Sequence, residues 1–295
     1  VPTFLLIVAA AFFIMRAAPG GPFDDERTLP PEIEANLQAA YGLDQPVPVQ
    51  FARYLGGLVR GDLGPSYRMK DFTVAELIGR GLPVTLSIGA AALALALLLG
   101  IPLGLAAGLR QNGWADHAAM SVALAGIAIP NFVVAPVLAL VFGLQLGWLP
   151  VAGWEPGSLR HMVLPVITRP LPMVAYLARL TRGSLLEVLQ APFIRTARAK
   201  GLAPGVILRR HALKPTLLPV VSFLGPATAA LLTGSLVVEQ VFGLPGIGRY
   251  FVQGAINRDY TLVMGMVVFY AVLILLLNLA VDLLYGWLDP RIRHE

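Results

Sequence analysis

Long apolar stretches almost free of charge recur along this chain, and no other feature restricts its fold so strongly. Six of them lie near 1–15, 84–109, 118–143, 162–181, 216–238 and 262–286. A helix needs about 20 apolar residues to cross a bilayer core. Only 13% of the residues are charged, against roughly 25% in a soluble domain. In hydrocarbon every backbone N–H and C=O must be satisfied within the protein, so each run is expected to be a helix. The fold class is all-α: a polytopic membrane protein with six transmembrane helices. The first run, Val1 to Met15, is 15 residues long and ends at Arg16. It lacks the basic start and small-residue cleavage site of a signal peptide. It reads as a first span whose basic flank lies upstream of Val1.

Proline and glycine inside the runs (Pro102, Pro130, Pro136, Pro172, Pro226, Gly225, Gly234) would break helices in water. In a bundle, neighbouring helices satisfy the freed backbone groups. Gly100, Gly104 and Gly108 recur at one-turn spacing and read as a face where another helix approaches closely.

Charge sets the orientation. Arg110, Arg182, Arg195, Arg198, Lys200, Arg209, Arg210, Lys214, Arg291 and Arg293 fall in one set of alternating segments; the other short loops hold only Arg160, Arg249 and Arg258. Basic loops stay in the cytoplasm, so both termini are expected there. The net charge of +5 is therefore topological, and no nucleic-acid partner is implied. The chain divides into a first span (1–15), a periplasmic cap (16–83), a membrane core (84–286) and a cytoplasmic tail (287–295). Within the cap, Leu29 to Tyr41 reads as a helix closed by Gly42. Gln50 to Val59 reads as another, with Phe51, Tyr54, Leu55 and Leu58 on one side.

The cytoplasmic loop 182–214 exceeds what topology requires. Ser184 to Lys200 reads as a helix with an irregularity at Pro192, ended by Gly201; Pro204 opens a second helix running to about Leu213. Pro215 and Pro219 mark entry into the fifth span. Two ordered, Arg-rich helices around a glycine form an elbow suited to a partner protein.

The run Phe193-Ile-Arg-Thr-Ala-Arg-Ala-Lys-Gly-Leu202, with Arg210-His-Ala-Leu-Lys-Pro215, resembles the coupling loop of ABC importer permeases. Where that family commonly has Glu-Ala-Ala, this chain has Arg195, Thr196 and Ala197, a departure like that of the peptide-type branch. Ala18-Pro-Gly-Gly-Pro-Phe23, Arg60-Gly-Asp-Leu-Gly-Pro-Ser66, Ala128-Ile-Pro-Asn-Phe-Val133, Phe242 to Gly248, Asn257-Arg-Asp-Tyr260 and Leu288-Asp-Pro-Arg291 extend the likeness along the whole chain. In order, they resemble the first of the two membrane subunits of a bacterial oligopeptide importer. The resemblance implies an inner-membrane subunit paired with a homologous second permease subunit. It also implies two ATP-binding subunits docked at Arg195, Thr196, Ala197, Arg198, Lys200, Gly201 and His211, and a periplasmic peptide-binding protein. Dipeptides, glutathione and nickel complexes are carried by related permeases and remain open as substrates.

Catalytic patterns are absent. The three lysines (Lys70, Lys200, Lys214) precede Asp, Gly and Pro, so no G-x-x-x-x-G-K-[ST] phosphate loop exists. ATP and magnesium are left to partner subunits, and this chain is expected to bind no cofactor. The four histidines show no H-E-x-x-H spacing, there is no G-x-S-x-G elbow, and there is no cysteine. An intramembrane enzyme is disfavoured. A secondary transporter would rely on ionisable residues within its spans. Arg169, Arg179 and Asp282 are the ones here, and such a transporter has no use for the elbow. Small hydroxyl and amide residues nominate a translocation path: Asn131, Ser222, Thr228 and Ser235, with Glu239 at its outer end. Gly243, Pro245, Gly246 and Gly248 are expected to form an outer lip, followed by a short helix from Arg249 to Ala255.

Overall fold

A computed structural model describes residues 2–17, 32, 36, 38–39, 42–69, 71–233 and 236–288, with the side chains of 282 and 284–288 left aside. Most of the expected helix over 29–41, Ser235, the Asp282 side chain and most of the tail lie outside the described residues. The described residues are helical apart from turns, loops and one isolated antiparallel bridge between Pro65 and Thr73. The elements are α1 (Pro2–Ala17), α2 (Val47–Val59), α3 (Val74–Leu109), α4 (Trp114–Ala128), α5 (Asn131–Leu138), α6 (Leu159–Thr168), α7 (Leu171–Gln190) and α8 (Pro192–Ala199). There follow α9 (Leu213–Leu232), α10 (Leu236–Val241), α11 (Ile247–Ile256) and α12 (Tyr260–Leu288).

Three helical runs, 74–109, 204–241 and 260–281, are long and apolar enough to cross a membrane singly. Two further spans are bent pairs. α4 and the run 131–145 meet at 99°, and α6 and α7 meet at 54°. With the shorter apolar α1, six segments stand where six were expected, but the third and fourth are broken where continuous helices were read. Both breaks sit at a proline, which donates no backbone N–H: at Pro170 the preceding Arg169 stays helical (φ −65°, ψ −43°), whereas Pro130 also pushes the residue before it out of helical geometry. Ile129 is accordingly extended, at φ −92° and ψ 114°. Beyond Pro136 the chain widens into a π-helical stretch, Ala139–Gln145.

The second span starts ten residues earlier than read. Thr73 and Glu76 form a capping box: Thr73 Oγ1 accepts from Glu76 N at 3.3 Å, and Glu76 Oε2 accepts from Thr73 N at 2.9 Å. The T-x-x-E signal was present in the sequence before Leu77, but the apolar run that it precedes was taken to start at 84.

By contacts the chain forms two units: residues 1–84 with 245–273, and residues 85–244 with 274–295. In the first, Val8 and Phe12 of α1 and Met264 and Val268 of α12 make a core. Phe51, Tyr54, Leu55 and Leu58 of α2 pack on it, the face expected from their spacing. A second cluster joins Val74, Leu77 and Ile78 of α3 to Ile247 of α11 and Leu262 and Met266 of α12. Asp259 knots this unit together. It is 1% exposed, and it accepts from Ser66 Oγ, from Arg68 N at 3.2 Å, from Thr261 Oγ1 at 3.0 Å and from Leu262 N at 3.1 Å. Two short motifs read separately in the sequence, around 60–66 and 257–260, thus meet in one buried cluster.

In the second unit, α3 from Thr85 onward lies against α7 along its glycines. A Cβ on Gly100 would meet Leu177 Cβ at 2.7 Å, and one on Gly108 would meet Leu185 Cδ2 at 2.9 Å. One on Gly104 would strike the Ala178 carbonyl, with Thr181 Cβ at 2.6 Å. Packing, with no room for a larger side chain, explains the one-turn glycine repeat. α7 also packs on α9 through Leu177 and Val220, and Tyr176 stacks on Phe223 with centroids 4.1 Å apart.

Candidate functional site

The elbow hangs from α7. Ala191 is extended (φ −63°, ψ 148°) ahead of Pro192, which occupies the first helical position of α8. The helix read from Ser184 to Lys200 with an irregularity at Pro192 is therefore two pieces, with a full break at Ala191. α8 ends as the glycine requires. Gly201 sits at φ +73°, its N–H donates to Arg198 O at 2.9 Å, and Leu202 N donates to Ala197 O at 3.3 Å. This is the paired Schellman arrangement that satisfies the last carbonyls of a helix. No side-chain or backbone atom lies within 4 Å of a Cβ built on Gly201. Only backbone conformation selects glycine there.

The second expected elbow helix is not a separate body. Pro204–Val206 begins a helix, Ile207–Ala212 is π-helical, and α9 follows without interruption. Pro215 and Pro219 do not delimit the fifth span: Pro215 follows the π-helical turn closely, and Pro219 lies inside α9.

Burial divides the elbow in two. Ile194 (0% exposed) and Ala197 (5%) pack with Leu185, Ile207 and Ala212, backed by Leu105 and Val188. Phe193, Arg195, Thr196, Arg198, Lys200, Leu202, Arg209 and Arg210 face outward. Of the expected coupling residues, Ala197 thus belongs to the inner face, and His211 is half-buried in the π-helical turn. Thr196 Oγ1 donates to Pro192 O of its own helix at 3.1 Å. The outer face combines cations with an apolar ring and two aliphatic side chains, Leu202 and Val206.

A buried ion pair, unread in the sequence, anchors α7 just above the elbow. Arg182 Nε donates to Asp116 Oδ1 at 2.6 Å, and Nη2 donates to Oδ2 at 2.7 Å. Asn112 N adds a bond to Oδ2 at 2.9 Å, with Asn112 itself at φ +60°. Asp116 is 2% exposed. This two-pronged geometry ties the first turn of α4 to α7. Asp116→Ala is expected to cost about 2 kcal/mol, reduced from a fully buried pair because Arg182 remains partly exposed. It should also lower transport per ATP hydrolysed, because α4 and α7 no longer move as one. Calorimetry and coupled transport assays check the two effects, and wild-type values in both would show the pair to be incidental.

The path residues are scattered. Asn131 opens α5 and its Nδ2 donates to Arg169 O at 3.5 Å, while its Oδ1 is buried without a partner. Ser222 Oγ donates to Leu218 O at 3.1 Å, back-bonding within its own helix. Thr228 is half-buried in α9. Glu239 is 1% exposed and accepts from Thr85 Oγ1 at 2.8 Å. Arg169 is also buried, at 4% exposure.

At the expected outer lip, Gly243 (φ +60°) closes α10 by the same Schellman pattern, with Leu244 N donating to Glu239 O at 2.8 Å. Pro245 is half-buried. Gly246 and Gly248 are buried, and Gly246, at φ −90° and ψ 170°, is extended before α11. Backbone geometry demands glycine at Gly243 alone of these.

Known proteins match along the whole chain. The family model described as binding-protein-dependent transport system inner membrane component matches residues 100–294. The oligopeptide transport system permease protein OppB of Escherichia coli (strain K12) is 49% identical over 294 residues, covering 100% of this chain and 96% of that protein. The dipeptide transport system permease protein DppB of Bacillus subtilis (strain 168) is 44% identical over 291 residues, covering 99% of this chain and 94% of that protein. Among solved structures, an inward-facing MetNI methionine ABC transporter chain superposes with a TM-score of 0.62 at 19% identity, over 73% of this chain and 97% of that one. With its broken apolar spans and proline-glycine elbow, the chain belongs to the binding-protein-dependent inner-membrane component family, the multi-pass permease subunits of ABC importers.

Proposed function

We propose that this chain forms one half of the membrane path of an ATP-driven oligopeptide importer. A homologous but different permease subunit supplies the other half. Two ATPase subunits dock at the elbow, and a periplasmic binding protein delivers the peptide. The observation that carries this reading is the two-faced elbow. Its inner side is welded to α7 and the start of the fifth span, and its outer side offers Phe193, Arg195, Arg198 and Arg209 to an apolar cleft with an acidic rim. The full-length likeness to oligopeptide permeases supports the substrate class.

The chain supplies a path and a lever, with no bond-making chemistry. ATP binding shifts the population only if it favours the outward-open state over the other. The elbow converts approach of the ATPases into tilting of α7 and α9. Asn131, Ser222, Thr228 and Glu239 line the path, and Gly243 to Gly248 form its outer lip. Both termini lie in the cytoplasm.

The assembled transporter, reconstituted with its binding protein, should hydrolyse ATP faster with oligopeptides than with dipeptides or free amino acids. Equal or greater stimulation by dipeptides would reassign the substrate to the class named for the 44% identical relative. Orientation is tested in the same vesicles by single cysteines, since the chain has none of its own. A cysteine at Asp44 should label from outside and one at Lys214 only from inside.

A further inference from the structure

The first unit holds a cavity of about 380 Å³ that the transport reading does not use. Its apolar wall is Phe12 and Met15 of α1, Leu63, and Met264 of α12. Two guanidinium groups line it, Arg16 and Arg53, and neither makes an ion pair among the described residues. Both are held in place. Arg16 lies between two rings, 5.3 Å from the Phe12 centroid and 5.4 Å from that of Tyr260. Arg53 packs over Gly42, where any Cβ would collide with its Nη1. The one carboxylate in the lining, Asp62, is exposed and already accepts from Gly64 N at 2.8 Å. Tyr54 completes the wall. Its hydroxyl is buried without a hydrogen-bond partner, and burial pushes its pKa up to about 12, so it stays a donor.

With α1 read as a membrane span, its last turn, which carries Arg16, puts the cavity at the level of the bilayer surface. Beside it, Phe13 and Ile14 leave an apolar surface 44% and 70% exposed, as lipid-facing residues do. A site with two cations that make no ion pair among the described residues, above an apolar floor, fits an anionic head carrying a hydrocarbon tail. We propose that this cavity binds one anionic phospholipid. Its phosphate sits between Arg16 and Arg53, and an acyl chain lies over Phe12, Met15 and Met264. Such a lipid would bridge α1, α2 and α12 and steady the unit that the second span enters.

The test uses the assembled transporter in phosphatidylcholine nanodiscs with a small fraction of phosphatidylglycerol, read by native mass spectrometry. One phosphatidylglycerol should be retained per copy of this chain. Arg53→Gln should reduce retention about five-fold, the size expected from one arginine near an anionic lipid surface. Arg53→Lys should largely keep it. Arg53 is exposed, so the test does not depend on Arg16, whose loss from between two rings threatens folding. Wild-type retention in Arg53→Gln, or equal retention of phosphatidylethanolamine, would overturn the proposal. Displacement of the lipid by millimolar inorganic phosphate or by a transported peptide would equally do so, and would assign the cavity to a soluble anion or to substrate.

Discussion

Gly201→Val is expected to leave the protein inserted and paired with its sister subunit while peptide-stimulated ATP hydrolysis falls about tenfold. Gly201 holds φ +73°, and a β-branched residue there carries roughly 1–2 kcal/mol of backbone strain, enough for a tenfold change in an equilibrium. Open space around its Cβ position means that no clash adds to this. The strain is relieved by giving up the two bonds that stop α8, from Gly201 N and Leu202 N. Phe193, Arg195 and Arg198 then point elsewhere. Gly201→Asn is the control, since asparagine tolerates the left-handed region and should keep most of the coupling. The ATPase subunits co-purified with each variant, and transport in vesicles, measure the effect. Wild-type coupling in the valine variant would remove the elbow from the mechanism and revive an ATP-independent transporter.

Asp259→Ala should be the most destabilising single change in the first unit, at about 3 kcal/mol. It strands the buried donors on Ser66 and Leu262 and the part-buried N–H of Arg68, while Thr261 Oγ1 keeps Pro65 O, and it removes the side chain at the start of α12. Ser66→Ala removes one partner and should cost about 1 kcal/mol. If the cluster acts as a unit, adding Ser66→Ala to Asp259→Ala costs nothing further, as a double-mutant cycle would reveal. Thermal unfolding in detergent gives the ranking, and an Asp259→Ala protein as stable as the wild type would contradict it.

Apolar runs and the proline-glycine pattern were enough to read six apolar segments and the elbow before the fifth, because both signals are local. The bilayer excludes charge along each run, and the α2 face and the Gly201 stop follow from spacing and one residue's conformational freedom. Bends were another matter. Pro130 and Pro170 were visible, but whether a proline merely sits in a helix or breaks it by 99° depends on which neighbours satisfy the freed carbonyls. The capping box at Thr73 was legible and was outvoted by hydropathy, since a helix can begin well outside the membrane. The partners of Asp116 and Asp259 could not be read at all. Arg182 lies 66 positions from Asp116, and Ser66 lies 193 from Asp259. Periodicity places a residue on a face of its own helix, but only tertiary packing decides which distant charge or hydroxyl that face meets. The sequence by itself determined the membrane architecture, the family and the glycine of the elbow. The ion pair beside the elbow and the cavity between α1, α2 and α12 exist only once those helices are brought together.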